Sequence, residues 1–412
     1  MRPTVRKLLW VALPALLVAG FVSLVLVELW VRVSWDDKRG TPGFYLSDPQ
    51  RGQRLSPGYN GWFAGVPVRT NSLGFRDTRE YSLEKAPGTF RIIVLGDSVT
   101  FGHGTLDETT YPFLLEQRLE AWRPDITWEV WNLGVPGYNT GQELAYLEEV
   151  GQRYAPDLVV VGFYPNDLQN NTVVSRPSLV RRTLSGVQRA MQRHLYSYEF
   201  YKRVYLTARW RLFTNADDRR RIEQLANEEA LLGVRDGAVT PEQQRLTDVA
   251  YFDDQQVRDF FCIGVPSQTD SKGAQELRRS IDSGAPDIQP WLDAVRAFQR
   301  LQRDGKYRIV FFINMAPKVC EGWDRFYDAG SLPDDDLLIE VLGEGTPVVS
   351  STRAFLHYKP SQMPGAAGHA VGNANKVKAD VLFEFLRANI LPPLLRTPSQ
   401  ALQPSSPQAL SY

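Results

Sequence analysis

The sequence predicts an α/β fold, a parallel layer sandwich behind an N-terminal membrane-spanning helix, with a mainly helical insertion in its middle. Three observations predict it. Leu8 to Val27 is an uncharged, mostly apolar run of 20 residues. Short β-branched apolar segments recur near residues 90, 128 and 158, separated by stretches of helical spacing. Residues 170–285 then break that rhythm before it resumes. The chain of 412 residues, 43% of them hydrophobic, can bury a sizeable core. Its 47 Lys and Arg cancel its 47 Asp and Glu, which excludes a strongly basic nucleic-acid binder. Two cysteines, neither in a CxxC pair, do not make a disulfide scaffold. With four histidines, no HExxH, no Cys cluster and no carboxylate pair at ligand spacing, neither a metal nor another cofactor is expected.

The apolar run comes first. A hydrocarbon core of about 30 Å needs roughly 20 helical residues. Arg2, Arg6 and Lys7 before the run place the N-terminus in the cytoplasm and the rest of the chain outside, periplasmic or extracellular. A cleaved signal peptide competes with this reading, but its apolar core is usually ~7–15 residues and ends in a small-x-small site. Here Glu28, Leu29, Trp30, Val31 and Arg32 follow, which read as an interfacial anchor. Residues 1–35 are therefore a cytoplasmic stub and anchor, and the bilayer is the expected partner of residues 8–27. Outside the cytoplasm, Cys262 and Cys320 either pair or stay as two separate buried thiols.

Residues 36–89 are rich in Gly, Pro and Asn without clear periodicity and read as a loop-rich lead-in, ending in the stretch NSLGFR up to Arg76. Phe90 to Leu95 is a buried parallel strand stopped by Gly96. Leu106 to Trp122 has helical spacing, Trp128 to Leu133 is a second strand, and Thr140 is the expected cap of a helix through Val150. Asp157 to Phe163 is the third strand. Between Val174 and Glu223 there are twelve Arg or Lys against four acidic residues, interleaved with aromatics, and this segment reads as helical. It either rests on anionic headgroups, grips an acidic glycan, or presents a solvated charged face. Trp291, Val295, Phe298 and Leu301 share a helix face, Arg308 to Ile313 is a fourth strand, and Pro347 to Ser350 a fifth. A helix from Asn375 to Leu391 closes a domain spanning 90–391, and the Pro-, Ser- and Gln-rich residues 392–412 read as a disordered tail.

The chemistry gathers at the strand ends. Gly96-Asp97-Ser98 puts a serine just past a buried strand, at the carboxyl edge where open α/β sheets bind ligands. A Gly-Asp-Ser tripeptide is also ordinary turn chemistry. The second strand, however, ends at Asn132-Leu133-Gly134 and the third runs into Asn166-Asp167. Parallel pairing brings these ends together, so Ser98 N–H, Gly134 N–H and the Asn166 amide are candidate donors to an oxyanion. His369, just before the final helix, can reach the same edge as general base for Ser98.

These blocks resemble the GDSL/SGNH hydrolase family. VLGDSVTFG, NLGVPGYNT and GFYPNDL carry the resemblance, which covers roughly 90–167 and 288–390. It implies a flavodoxin-like three-layer α/β/α sandwich and ester hydrolysis or acyl transfer through an acyl-serine. Position by position, Ser98 is then the nucleophile, Gly134 and Asn166 are oxyanion donors and His369 is the base. One departure stands out: the family places an Asp three residues before the histidine, where this chain has Ala366. Three readings follow: a Ser–His dyad with a backbone carbonyl holding the imidazole, an Asp supplied from elsewhere in the fold, or a weak or inactive catalyst. His357 is a rival base, His194 reads as solvated, and Asp97 as a brace of the turn. His103 reads as a surface or substrate-side residue, and Arg76 either binds an anionic substrate group or forms a structural ion pair. The whole points to a membrane-anchored extracytoplasmic esterase or acyltransferase acting on O-acyl, above all O-acetyl, esters of an envelope polysaccharide. The alternative is a non-catalytic glycan-binding or assembly protein on the same fold.

Overall fold

In the computed structural model, residues 3–213, 272–314, 333–357 and 365–395 are described, apart from 38–39, 169–170, 172, 174–175, 367–368 and 371. Cys262, Cys320, the middle of the insertion and the tail beyond 395 lie outside them. Helix α1 (Pro3–Ser34) contains a stretch, Ala12–Ser34, long and apolar enough to cross a membrane. From Leu13 to Leu26 its large apolar side chains are exposed, as are Leu29, Trp30 and Val33, whereas Val31 near its end is buried.

The lead-in is more ordered than its composition suggests. It holds two antiparallel hairpins, β1 (Tyr45–Asp48) with β2 (Gly52–Leu55), and β3 (Asn60–Phe63) with β4 (Val66–Arg69). Strands of four residues are too short to display a period of two, and only their turns leave a mark in the sequence. Ala64 and Gly65 both take positive φ, +52° and +78°, as a two-residue type I′ turn requires.

The core follows in order: β5 (Thr89–Gly96), α2 (Ser98–Phe101), α3 (Tyr111–Trp122), β6 (Thr127–Gly134), α4 (Thr140–Tyr154) and β7 (Leu158–Phe163). Helices α5 (Leu179–His194), α6 (Tyr196–Phe213) and α7 (Lys272–Ser283) belong to the insertion. Then come α8 (Gln289–Arg303), β8 (Ile309–Ile313), α9 (Pro333–Leu342) and β9 (Val348–Ser350). A two-residue pair, β10 (Gly365–Ala366) with β11 (His369–Ala370), leads into α10 (Asn373–Phe385) and, through a π turn, α11 (Leu391–Leu394). The five core strands are all parallel, in the order β6-β5-β7-β8-β9. That is the doubly wound order of flavodoxin-like sheets, whose chain direction reverses between β5 and β7. Alternate strand residues feed opposite layers. Ile93, Leu95, Trp131, Val159 and Phe311 pack with α4, α8 and the hairpins, while Ile92, Val94, Val130, Val160 and Phe312 pack with α3 and α10.

Some boundaries differ from the sequence reading. Asn139, not Thr140, caps α4, because its side chain accepts from Gln142 N–H while Gln142 returns the bond in a capping box. The helix expected from Leu106 begins at Tyr111, since Asp107–Thr109 forms a 3-10 turn first. The last helix starts two residues earlier and continues to Leu394. Arg91, near the start of β5, is fully buried, paired with Glu129 at 2.7 Å and stacked on Trp131.

What positions the site is a row of glycines across the sheet. Gly96 is the register partner of both Gly134 and Gly162. Helix α2 sits directly on this row. A Cβ on Gly134 would lie 2.2 Å from Phe101 N, and one on Gly162 would lie 2.6 Å from Thr100 Oγ1. Gly134→Ala therefore requires the main chain to move. It is expected to lower stability by about 1–3 kcal/mol or more, read as a lower melting temperature of the full chain in detergent. An unchanged melting temperature would mean that α2 does not rest on the strand ends.

Candidate active site

Ser98 is the first residue of α2, held at the reversal point by its neighbour. Asp97 caps the helix, accepting from Val99 N–H at 2.8 Å, so the brace expected of it is its observed position. His369 approaches from β11, 271 residues further along, with Nε2 2.6 Å from Ser98 Oγ. The hydroxyl has a second acceptor, Asp97 Oδ2, at 3.4 Å, and the shorter contact is much the stronger. For Nε2 to accept, the imidazole must carry its proton on Nδ1. Ala366 is the register partner of His369 in the β10–β11 pair. Ala366 is the residue that stands where the resemblance expects an Asp.

His103 stands against the base rather than at the surface. Its ring stacks on His369 at 4.4 Å between centroids, 22° from parallel, and Phe63 meets its edge at 5.1 Å. Burial, then the positive charge of His369 and Arg76, holds His103 well below the usual histidine range. It is a neutral plate beside the imidazole at neutral pH. The side chain of His357 is outside the described set, and His194 is exposed at the end of α5.

Arg76 does not reach substrate, which corrects the substrate-binding expectation for it. Its side chain is fully enclosed and stacks on Phe101. Nε donates to Asp107 at 2.6 Å, Nη1 to the carbonyls of Phe101 and Gly102, and Nη2 to that of Thr105. These bonds hold the loop that carries His103.

The oxyanion donors need a similar revision. Gly134 N–H is already bonded to Asn132 Oδ1 at 3.0 Å, and the glycine lies under α2. Its smallness serves packing. Asn166, in the 3-10 turn Pro165–Leu168, directs its amide to Asp97 and, at 3.5 Å, to Tyr138 O. The residue before Tyr138 is Gly137, past the strand end with φ +83°. The signal missed in NLGVPG is that a glycine ending a strand is a packing residue, while the one in the turn beyond stands at the open edge.

A buried charge network lies beneath, which the sequence reading did not foresee. Asp97, Glu143, Asp167 and Lys378 are all buried. Burial pushes the Asp97 carboxyl up to about 6, opposed by Val99 N–H, Asn166, Lys378 and Ser98. Glu143 and Asp167 are raised well above the carboxylate range, first by burial and then by the neighbouring carboxylates. Lys378 is pushed down to about 7 by burial, against the pull of Asp97. Its one hint in the sequence is a lysine among Ala374, Val377 and Leu382 on the buried side of α10. Among the described residues, no group of His, Cys, Asp and Glu is arranged to hold a metal ion.

Lys378 has a testable signature. A lysine with a lowered folded value contributes stability above its unfolded value of 10.5, and loses that contribution as pH falls to about 7. Lys378→Met keeps the volume and removes the titration. The melting temperature of the wild type relative to this variant should therefore fall between pH 10 and pH 7. A constant difference across that range would show that Lys378 is charged in the folded chain.

A serine and histidine in contact at the reversal point of a parallel α/β sheet define a hydrolase-type site. Residues 94–254 match the model of the GDSL-like lipase/acylhydrolase family. The match takes in Ser98, Gly134 and Asn166 but stops before His369. A comparison with curated proteins finds no match. Among solved structures, the chain is similar to a two-domain esterase (CEX) active on acetylated mannans, at 12% identity and TM-score 0.35 over 73% of this chain and 49% of that one. It spans about half the length of that esterase. It is similar as well to a mutant of Axe2, an acetyl-xylooligosaccharide esterase from Geobacillus Stearmophilus, at 11% identity and TM-score 0.32 over 74% and 95%. A third is the psychrotrophic esterase EstA from Pseudoalteromonas sp., at 10% identity and TM-score 0.30 over 73% and 97%.

Proposed function

We propose that this chain is a membrane-anchored, extracytoplasmic serine esterase that works through an acyl-Ser98 intermediate with a Ser98–His369 dyad. The observation that carries the reading is the 2.6 Å contact between Ser98 Oγ and His369 Nε2. Ser98 Oγ attacks the ester carbonyl as Nε2 takes its proton. The negative charge that forms on the carbonyl oxygen is met by Ser98 N–H, Gly137 N–H in place of Gly134, and the Asn166 amide hydrogen that leaves its long, 3.5 Å contact with Tyr138 O. As the intermediate collapses, His369 returns the proton to the departing alcohol. Water, deprotonated by the same nitrogen, then releases the acid and frees Ser98. A sugar hydroxyl in place of that water makes the same site an acyltransferase. An O-acetyl ester of an envelope polysaccharide is the substrate that the anchor and the family together favour.

The test uses the full chain in detergent with p-nitrophenyl acetate and a fluorophosphonate. Ser98→Ala should abolish labelling, and Ser98→Ala and His369→Ala should each lower kcat by roughly 10³-fold or more. Labelling without turnover would favour a transferase. If the folded wild-type chain is not labelled, the glycan-binding alternative takes its place. Ala366→Asp places a carboxylate at the register partner of His369, and a rise in kcat/KM with labelling retained is expected. An unchanged rate would mean that the imidazole is already fully oriented.

A further inference from the structure

Helix α5 faces the wrong way for a helix in water. The side chains it buries are Ser185 and Gln192, at 7% and 6% exposure. Gln192 Oε1 accepts from Ser47 N–H at 2.7 Å, while Arg181 and Arg193 donate to the carbonyls of Pro49 and Pro57. Val180, Leu184, Val187 and Met191 are left 68%, 63%, 56% and 41% exposed. They fall at i, i+4, i+7 and i+11, a single stripe roughly 120° around the helix from the buried pair. Val180 and Leu184 also edge an open groove whose far side is Ser47, Asp48 and Gly52. A folded chain that packs a helix by its polar residues and turns its apolar stripe outward has an apolar neighbour to cover that stripe.

The place of α5 identifies the neighbour. The last turns of α1 clamp both insertion helices. Arg32 Nη2 donates to His194 O, the final carbonyl of α5, at 2.5 Å. The Glu28 carboxylate accepts from Tyr196 and Ser197 N–H, the first turn of α6, at 3.1 and 2.8 Å. Each charge thus satisfies a helix end that suits its sign. Trp30 meets Phe200 edge-on at 5.7 Å and Trp35 meets Tyr196 at 6.2 Å, the aromatic signature of a span's exit into water. Helix α6 exposes Val204, Tyr205 and Leu206 as well. The Met191 end of the apolar stripe therefore lies within one helical turn of the residue that meets the exit end of the span. We infer that α5 is a second membrane element that lies in the bilayer interface, with Val180, Leu184, Val187 and Met191 seated in the headgroup–acyl boundary of the membrane that α1 spans. Interfacial helices of this type bury their apolar face about 5–10 Å deep. Arg182 and Arg189 stand on the opposite face, as such helices require.

The inference rests on the proposed anchor, and the experiment separates the two. The full chain carries an encoded fluorescent amino acid at Val187, at Val18 in the span, or at Glu120 on the exposed face of α3. Each protein is reconstituted in vesicles of phosphatidylcholine and phosphatidylglycerol containing a nitroxide lipid, labelled either near the headgroup or near the chain end. Turnover of p-nitrophenyl acetate reports that each is folded. The expected result is a blue-shifted emission at 187 that the shallow nitroxide quenches more than the deep one, the reverse order at 18, and no quenching at 120. Quenching at 18 with a red, unquenched signal at 187 overturns the inference and leaves the anchor standing. A blue signal at 187 that neither nitroxide reaches also overturns it, because protein, residues 214–271 or a second copy, then covers the stripe. No quenching at 18 removes the anchor itself, and the inference with it.

Discussion

Everything at the site depends on how closely the main chain of α2 approaches the ends of three strands. Gly96, Gly134 and Gly162 lie side by side across the sheet, and the space their side chains would need is filled by Thr100 and Phe101. The consequence is geometric. Ser98 is lowered onto the point where chain direction reverses, within reach of β6, β7 and whatever follows β9. Thr100, fully buried, fastens the seat by meeting Tyr111 OH at 2.8 Å and lying 3.4 Å from Asn314 Nδ2. A nucleophile raised by one methyl group would lose its 2.6 Å contact with His369.

Burial sets the electrostatics below that seat. Glu143 and Asp167 are held protonated, while Asp97, raised to about 6, is mostly ionised at neutral pH and Lys378, lowered to about 7, is about half charged. Most of the negative charge that three buried carboxylates would bring is thereby absent, and Lys378 offsets part of what Asp97 keeps. The base is treated differently. Lacking a carboxylate at 366, His369 is flanked by His103, and burial keeps that second ring neutral. A neutral ring stacked on His369 would not repel the positive charge that proton uptake creates on the proposed path. Arg76 holds the loop beneath, so it sets where His103 stands against His369.

The sheet was legible in the sequence because its strands are buried on both faces and read as apolar runs closed by glycine. The position of Ser98 was legible for a related reason, since it follows such a run directly, and the structure brings His369 to it. The hairpins of residues 45–69 were not, because four-residue strands carry no period. The Gly134 assignment failed because one residue type serves two purposes, close packing and an unshielded N–H, and spacing alone does not separate them. Glu143 and Lys378 were invisible because helical charges are solvated by default, and only the packing of α4 and α10 against the sheet encloses them.

The hairpins also tie the proposed membrane element, α5, to His369. Gln192 of α5 holds Ser47 of β1. Phe44, just before β1, stacks on Phe63 at 4.0 Å and 22°, and both rings contact Phe101 at the end of α2. Phe63 in turn meets the edge of His103, which stacks on His369. The path from the proposed interfacial helix to the imidazole runs through one hydrogen bond, the main chain from Ser47 to Phe44, and then ring against ring. A domain on a long tether samples substrate through a volume. On the proposed reading, a domain clamped by Glu28 and Arg32 and seated by α5 would instead present Ser98 at one height above the bilayer. Such a site would select esters by where they are carried as well as by their chemistry.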